Sequence, residues 1–407
     1  MRVRRTASIF AASAVTLASL AFAGAAVASA APGTSGAMHS SSRHPGHFRV
    51  RVVLNGAKLR HTFVPAGSAK ARSEPLADPD DITVLGHHIF TAFQNGVGPQ
   101  GEASSDGNTF STVVEFTASG HVVRKWDIKG KSDGLTADTA AHVLIATVNE
   151  DAHSSIYTIA PGAPPGAQVV HYRYNKPLPH FGGTDAISIY HGLVLVSASA
   201  PGTTGKAAPQ PSYPAVYVVS FGRRARIATV HALFYDEAAA TLANRGKHSV
   251  AVVKLALTDP DSNEVVPDRA PRFAGDFVVT SQGDKEQIFV LKHGRLGRNL
   301  AVLRLSQSVD DTAWARSRDG RLYAADTSQD RVEVVTGPFR PGSVFVAVTP
   351  CDAANAPATC PGPGFPPNFL GSLNPFTGHI TAVPVSGPAL RPQGMVFISR
   401  GWVVAPG

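Results

Sequence analysis

Three observations predict an all-β fold for this chain of 407 residues. First, nearly every apolar run after about residue 48 is short, rich in β-branched residues and bounded by Gly, Pro, Asn or Asp, which is the pattern of strands rather than helices. Second, the runs follow a fixed order that returns roughly every 40–50 residues. Third, each return is announced by acids: DPDDITVL at 78, SDGLTAD at 132, TDAISIY at 184 and VDDTAWA at 309. Four antiparallel strands at this spacing form the blade of a β-propeller. A lone four-stranded sheet exposes two apolar faces, whereas sheets fanned around an axis bury both faces against their neighbours. The expected architecture is a six-bladed β-propeller, with seven blades as the alternative.

The elements follow in chain order. Arg2, Arg4 and Arg5, an alanine-rich apolar stretch and the ending Ala28-Ser29-Ala30 read as a signal peptide over 1–30, cleaved after Ala30. Residues 31–47 are small, polar and broken by proline, and read as a disordered linker despite His39, His44 and His47. Residues 48–407 are expected to be one propeller domain. The pair FRVRVVL and KLRHTFV at 48–64 is assigned to complete the last blade, closing the ring with RPQGMVFI and GWVVAPG from the C-terminus.

Three full units run DDITVL–HIFTAF–STVVEF–HVVRKWDI, DGLTAD–HVLIATV–SSIYTI–AQVVHYRY and DAISIY–LVLVSA–AVYVVSF–RIATVHAL. DDTAWA, GRLYAAD and DRVEVV give the same strand order, while DPDSNEVV with GDFVVTSQGDKEQIFVL and LAVLRL, and RPQGMVFI with GWVVAPG, are degenerate units. Two longer steps in the repeat hold DEAAATLANRG at 236–246, read as a short helix from its Asp cap and Gly stop, and a cysteine loop. If SVFVAVT, FLGSLN and HITAVPV make their own blade, the count becomes seven. Cys351 and Cys360 are expected to form a disulfide that closes this loop and contributes about 2–3 kcal/mol.

The formal charge of +8 less the three leader arginines leaves +5, and the cationic residues are scattered, the GRRAR run at 222–226 fitting a solvated strand turn. No nucleic-acid partner is expected. No later run reaches the 18 or more apolar residues of a membrane span, so the mature chain is expected to be secreted, extracellular and monomeric.

The GRLYAADTSQDRVEVV hairpin, the VDDTAWA entrance and the closing PQGMVFI resemble the repeats of secreted six-bladed propellers of the NHL and SMP-30/gluconolactonase type, within the TolB-like superfamily. VTGPFRPGSVFVAV and FLGSLNPFTGHITAVPV also resemble secreted bacterial propellers found near pigment-biosynthesis enzymes. The lactonase resemblance implies a metal quartet of one glutamate, two asparagines and an aspartate. Asp80 and Asp81 stand where the glutamate would be, and no pair of asparagines sits at strand starts, so no catalytic residue carries over.

In a propeller the first strand of each blade lines the central channel. Asp81, Asp133, Asp185, Asp311 and Glu264 are therefore expected to converge at the channel mouth, where like charges raise carboxyl pKa values or call for a cation. A hard divalent ion such as Ca²⁺ would suit such a ring. Capped strand entrances are the plainer explanation of the same acids. Asn149, Glu150, Asp151 and His153 form a secondary candidate loop, although a polar turn explains them equally. His87 and His88 are expected on opposite strand faces. The Gly-rich excursion at 93–108 is a further candidate for binding and lacks a phosphate-loop lysine.

Two functions are open at this point. One is a secreted binding module that takes an unknown small molecule, a cation or a cell-envelope component. The other is a metal-dependent hydrolase or lyase using the acids.

Overall fold

The computed structural model describes residues 47–179, 182–199, 212–222, 225–244, 251–352 and 367–402. The leader, the linker over 31–46 and the extreme C-terminus lie outside these residues, as does Cys360 and with it the expected pairing to Cys351.

The described residues contain antiparallel ladders of short strands, three-residue 3-10 turns and no α-helix. Pro79–Leu85, His88–Phe93, Phe110–Phe116 and Val122–Lys129 form the first ladder. Ser132–Asp138, Val143–Val148, Ser155–Ile159 and Val169–Tyr174 form the next. Ile187–Tyr190, Leu193–Ser197, Pro214–Gly222 and Ile227–Tyr235 follow, joined to the preceding ladder by a parallel pairing of the two outermost strands. Pro260–Val265, Phe277–Ser281, Glu286–Val290 and Leu300–Arg304 make another.

The leading strands of these ladders touch in succession. Pro79–Leu85 contacts Ser132–Asp138, and the contacts continue through Ile187–Tyr190, Pro260–Val265, Val309–Trp314 and Met395–Ile398 back to Pro79–Leu85. This closed ring makes the fold a β-propeller. Apolar faces meet between neighbouring ladders: Ile145, Ile156, Ile187, Val196 and Tyr217 fill one seam, and Ile82, Ile89, Phe116, Tyr323 and Val332 another. Each such side chain contributes about 1.5–3 kcal/mol by leaving water.

Pairing departs from sequence order near the closure. VDDTAW does not pair with GRLYAAD; Val309–Trp314 pairs with Val344–Val348, which is followed by Phe369–Leu373 and Ile380–Ala382. Arg321–Asp326 instead lies between Met395–Ile398 and Arg331–Thr336, and Phe48–Asn55 zips onto the outer side of Arg331–Thr336. Two hairpin strands are thus inserted between a leading strand and the rest of its own ladder. The expected closure holds for FRVRVVL, whereas Arg60–Phe63 pairs with Arg72–Pro75 as a separate hairpin.

The expected helix at 236–246 is a strand over Ala239–Leu242. Its Thr241 and Leu242 pair in parallel with Ala301 and Val302, with Val252–Lys254 on its other side. Sheet pairing and burial of Ala240 override the helical preference of the alanine run.

Candidate functional site

Four of the leading strands share a local irregularity. Register slips between Pro79 and Ile82, Ser132 and Leu135, Pro260 and Asn263, and Val309 and Thr312, leaving two residues on each leading strand without a partner across the ladder. Such a bulge re-aims side chains at a strand end. The first of the two unpaired residues is Asp80, Asp133, Asp261 and Asp310 in turn. Asp185 and Gln393 stand two residues before Ile187–Tyr190 and Met395–Ile398, as Asp80 stands two residues before the re-paired Ile82. Five carboxyls and one amide therefore surround one funnel at the same depth, in a cavity of about 430 Å³. Asp259, Asp352 and Glu150 add acids to its wall, and Lys131 and Arg316 are the cations there among the described residues.

The second unpaired residue does different work. Asp81 accepts a hydrogen bond from the Leu135 amide of the next leading strand at 2.6 Å and from the Ile82 amide at 2.7 Å. Asp311 repeats this arrangement, accepting from the amides of Met395 at 2.5 Å and Thr312 at 2.7 Å. The remaining members are Gly134, Ala186, Ser262 and Gly394. A Cβ on Gly134 would stand 2.3 Å from the Asp185 carbonyl oxygen, and one on Gly394 would stand 2.4 Å from that of Asp80. At this position a residue either clasps the neighbouring backbone or leaves room for it.

Of the expected site residues, Asp133 and Asp185 lie in the outer ring, while Asp81 and Asp311 are clasps one residue deeper. Glu264 also lines the cavity, and its Oε1 accepts from the Trp314 indole N–H at 2.5 Å. Asp80, Asp261 and Asp310 were not in the sequence-based set. Their signal was present: each directly follows the Pro or Val that opens a leading strand.

Burial is the first cause of the raised carboxyl pKa values, with neighbouring carboxylates adding to it. Asp80 is pushed up to about 7 by burial, against the opposing pull of Lys131, with Asp81 and Glu150 contributing further. Asp81 rises to about 8 through burial and Asp311. Asp311 and Asp259 each rise to about 7. Burial lifts Asp133, Asp185, Asp261, Asp310 and Glu264 well above the ordinary range. Lys131 is driven down by burial and up, more strongly, by Asp133, Glu150 and Asp80, so it stays cationic.

Lys131 occupies one sector of the ring. Its Nζ lies 2.8 Å from Asp133 Oδ1 and pairs with Glu150. Gln94 Nε2 donates within the same sector, 3.0 Å from both Asp80 Oδ2 and Asp133 Oδ1. Asp133 Oδ2 is buried without a hydrogen-bond partner. In the opposite sector the side chains of Asp185, Asp261 and Asp310 have no hydrogen-bond or ion-pair partner among the described residues. The carboxyls stand around the ring rather than meeting at a point: no three His, Cys, Asp or Glu side chains among the described residues form a group able to hold a metal ion.

The secondary loop divides. Glu150 joins the funnel, while Asn149 holds the turn, accepting from the Lys131 amide at 3.0 Å and donating to the His153 carbonyl at 3.2 Å. Asp151 has its carboxyl raised by burial and by Glu150, and its amide donates to Pro99 of the long loop. That loop contributes Gln94 to the site, while Asn95 and Asn108 brace its ends. His87 and His88 do not separate as alternation requires, because Gly86 and His87 form the turn and only His88 is in the strand.

No family model matches the chain, and no curated protein matches it. Among solved structures it is similar to a nidogen/laminin complex chain at 7% identity, covering 87% of this chain and 98% of that one with a TM-score of 0.45. A periplasmic gluconolactonase of Pseudomonas aeruginosa aligns at 12% identity over 86% and 99% of the two chains, with a TM-score of 0.41. A streptogramin B lyase aligns at 9% identity over 83% and 91%, with a TM-score of 0.38.

Proposed function

We propose that the chain is a six-bladed propeller acting as a binding module, and that the acidic funnel takes a ligand bearing two or more amine groups. The six-bladed reading rests on the six leading strands in contact and on Val344–Val348, Phe369–Leu373 and Ile380–Ala382 serving Val309–Trp314 rather than a seventh sheet. The observation that carries the binding reading is the shared register of Asp80, Asp133, Asp185, Asp261 and Asp310 around one cavity. Burying this many like charges is costly without a partner, and the raised pKa values express that cost.

The bound state of the funnel has an internal precedent in Lys131, a primary ammonium already held by Asp133 and Glu150. The sector facing it, with Asp185, Asp261 and Asp310, offers the same chemistry to an amine from outside. Carboxyls spread around about 430 Å³ fit an extended organic cation better than a single ion.

Calorimetric titration with putrescine, spermidine, CaCl₂ and the neutral analogue butanediol tests this reading. Spermidine is expected to bind, with affinity falling at least about tenfold in Asp185→Asn and in Asp261→Asn, in line with the loss of a charge-assisted contact. Butanediol binding as well as the amines, or unchanged affinity in both variants, would refute it. Binding by Ca²⁺ alone would transfer the site to the metal-dependent reading.

A further inference from the structure

A second cavity opens at the other end of the leading strands. Pro79–Leu85 begins at the acidic funnel with Asp80 and ends in this cleft with Leu85. Seven extended residues place the two openings roughly 20 Å apart. The cleft has a volume of about 1020 Å³, at the upper end of small-ligand sites.

Its charge is opposite to that of the funnel. Arg51 from within Phe48–Asn55, and Arg321, His87, His88, His121 and His142 from strand starts and turns, line it. Glu115 is the one acid on the wall among the described residues, and it is 1% exposed with both oxygens engaged. His88 Nδ1 lies 2.5 Å from Glu115 Oε1, and Arg124 Nε donates to Oε2 at 2.8 Å. Arg124 is held in turn by the Pro161 carbonyl at 2.5 Å and lies over the Trp126 ring. Glu115 thus fixes the His88 ring through Nδ1 and leaves Nε2 as its remaining polar atom. Leu85, Phe90, Val143 and Pro161 supply apolar wall.

We propose that this cleft is a separate binding site for a small anion with an apolar body, such as an aromatic carboxylate or sulfonate. Exposed Arg51 and Arg321, with the histidines, receive the anionic group, and the apolar wall receives the rest. The site stands independently of the funnel's function.

Three probes sharing one ring system test it by calorimetric titration: naphthalene-2-sulfonate, naphthalene-2-methanol and 2-naphthylmethylamine. The sulfonate is expected to bind at least about tenfold more tightly than either of the others, as charge-assisted contacts require. The exposed pair Arg51→Gln/Arg321→Gln should weaken it by about fivefold or more with an unchanged melting temperature, and His88→Gln should weaken it without abolishing it. Asp185→Asn in the funnel should leave it unaltered. No sulfonate binding, equal binding of the neutral alcohol, or affinity indifferent to the arginine pair would overturn the proposal. A loss in Asp185→Asn equal to that in the arginine pair would place the probe in the funnel and overturn it too.

Discussion

Replacing Lys131 with Met removes the cation that Asp133 and Glu150 share while keeping most of the side-chain volume. Deleting one partner of a buried ion pair costs about 3–5 kcal/mol, because the other charge remains buried. Here the Lys131 and Glu150 side chains retain 17% and 26% exposure, so screening reduces the expected loss to about 2–3 kcal/mol. Unfolding entropy scales with length, and for a domain of this size such a loss lowers Tm by about 3–4 °C. Asp80 is raised to about 7, so near pH 5 it holds its proton and less negative charge surrounds Lys131 than at pH 8; burial and Glu150 raise Asp133 as well. The loss should be larger at pH 8 than at pH 5. Paired calorimetric melts of the two proteins at those pH values, in low salt, provide the assay. An equal Tm deficit at both would show that the lysine acts through packing, and would refute this account of the ring's electrostatics.

Other consequences follow from the same geometry. Asp311→Ala should destabilise the fold by about 1–3 kcal/mol by stranding the Met395 amide, seen as faster hydrogen exchange at that amide; unchanged exchange would remove the clasp role. Gly394→Ala should cost upward of about 2 kcal/mol in denaturant melts, because its Cβ would meet the Asp80 carbonyl at 2.4 Å, and a neutral effect would contradict the packing described. Asp80, Asp81, Asp259 and Asp311 have folded pKa values of about 7 to 8 against an ordinary value of 3.8. Their protonated forms favour the folded state, so that contribution is complete below about pH 4 and is lost as pH rises toward 8, lowering low-salt Tm across that window. A Tm that holds or rises over this range would count against it.

The propeller was legible because its strands repeat with their acids at a nearly constant offset. The site was legible only to within one residue. Reading Asp81 with Asp133 and Asp185 mixes two register positions, and one residue separates a carboxyl facing the funnel from one that clasps the next strand. The bulge that creates the distinction lies in the ladder pairing, which a single strand does not display. The crossover at closure was hidden for a related reason: GRLYAAD follows VDDTAWA in the chain, yet its partners come from residues 395–398 and 331–336. Ala239 and Ala240 misled in the other direction, since local preference favours a helix, whereas they pair with Val252–Lys254 and the same strand continues through Thr241 and Leu242 onto Leu300–Arg304. Lys131 and Gln94 could not be placed from sequence, as each reaches the funnel from a connection between strands.

The central claim is that partly protonated carboxyls from separate leading strands jointly hold an external cation. Spermidine titrations near pH 7, repeated in buffers of different ionisation enthalpy, measure the protons exchanged on binding. Net release of about one proton or more per ligand is expected, because a bound cation lowers the raised carboxyl pKa values. Binding with no proton exchange, or no binding in any of the buffers, would contradict the claim.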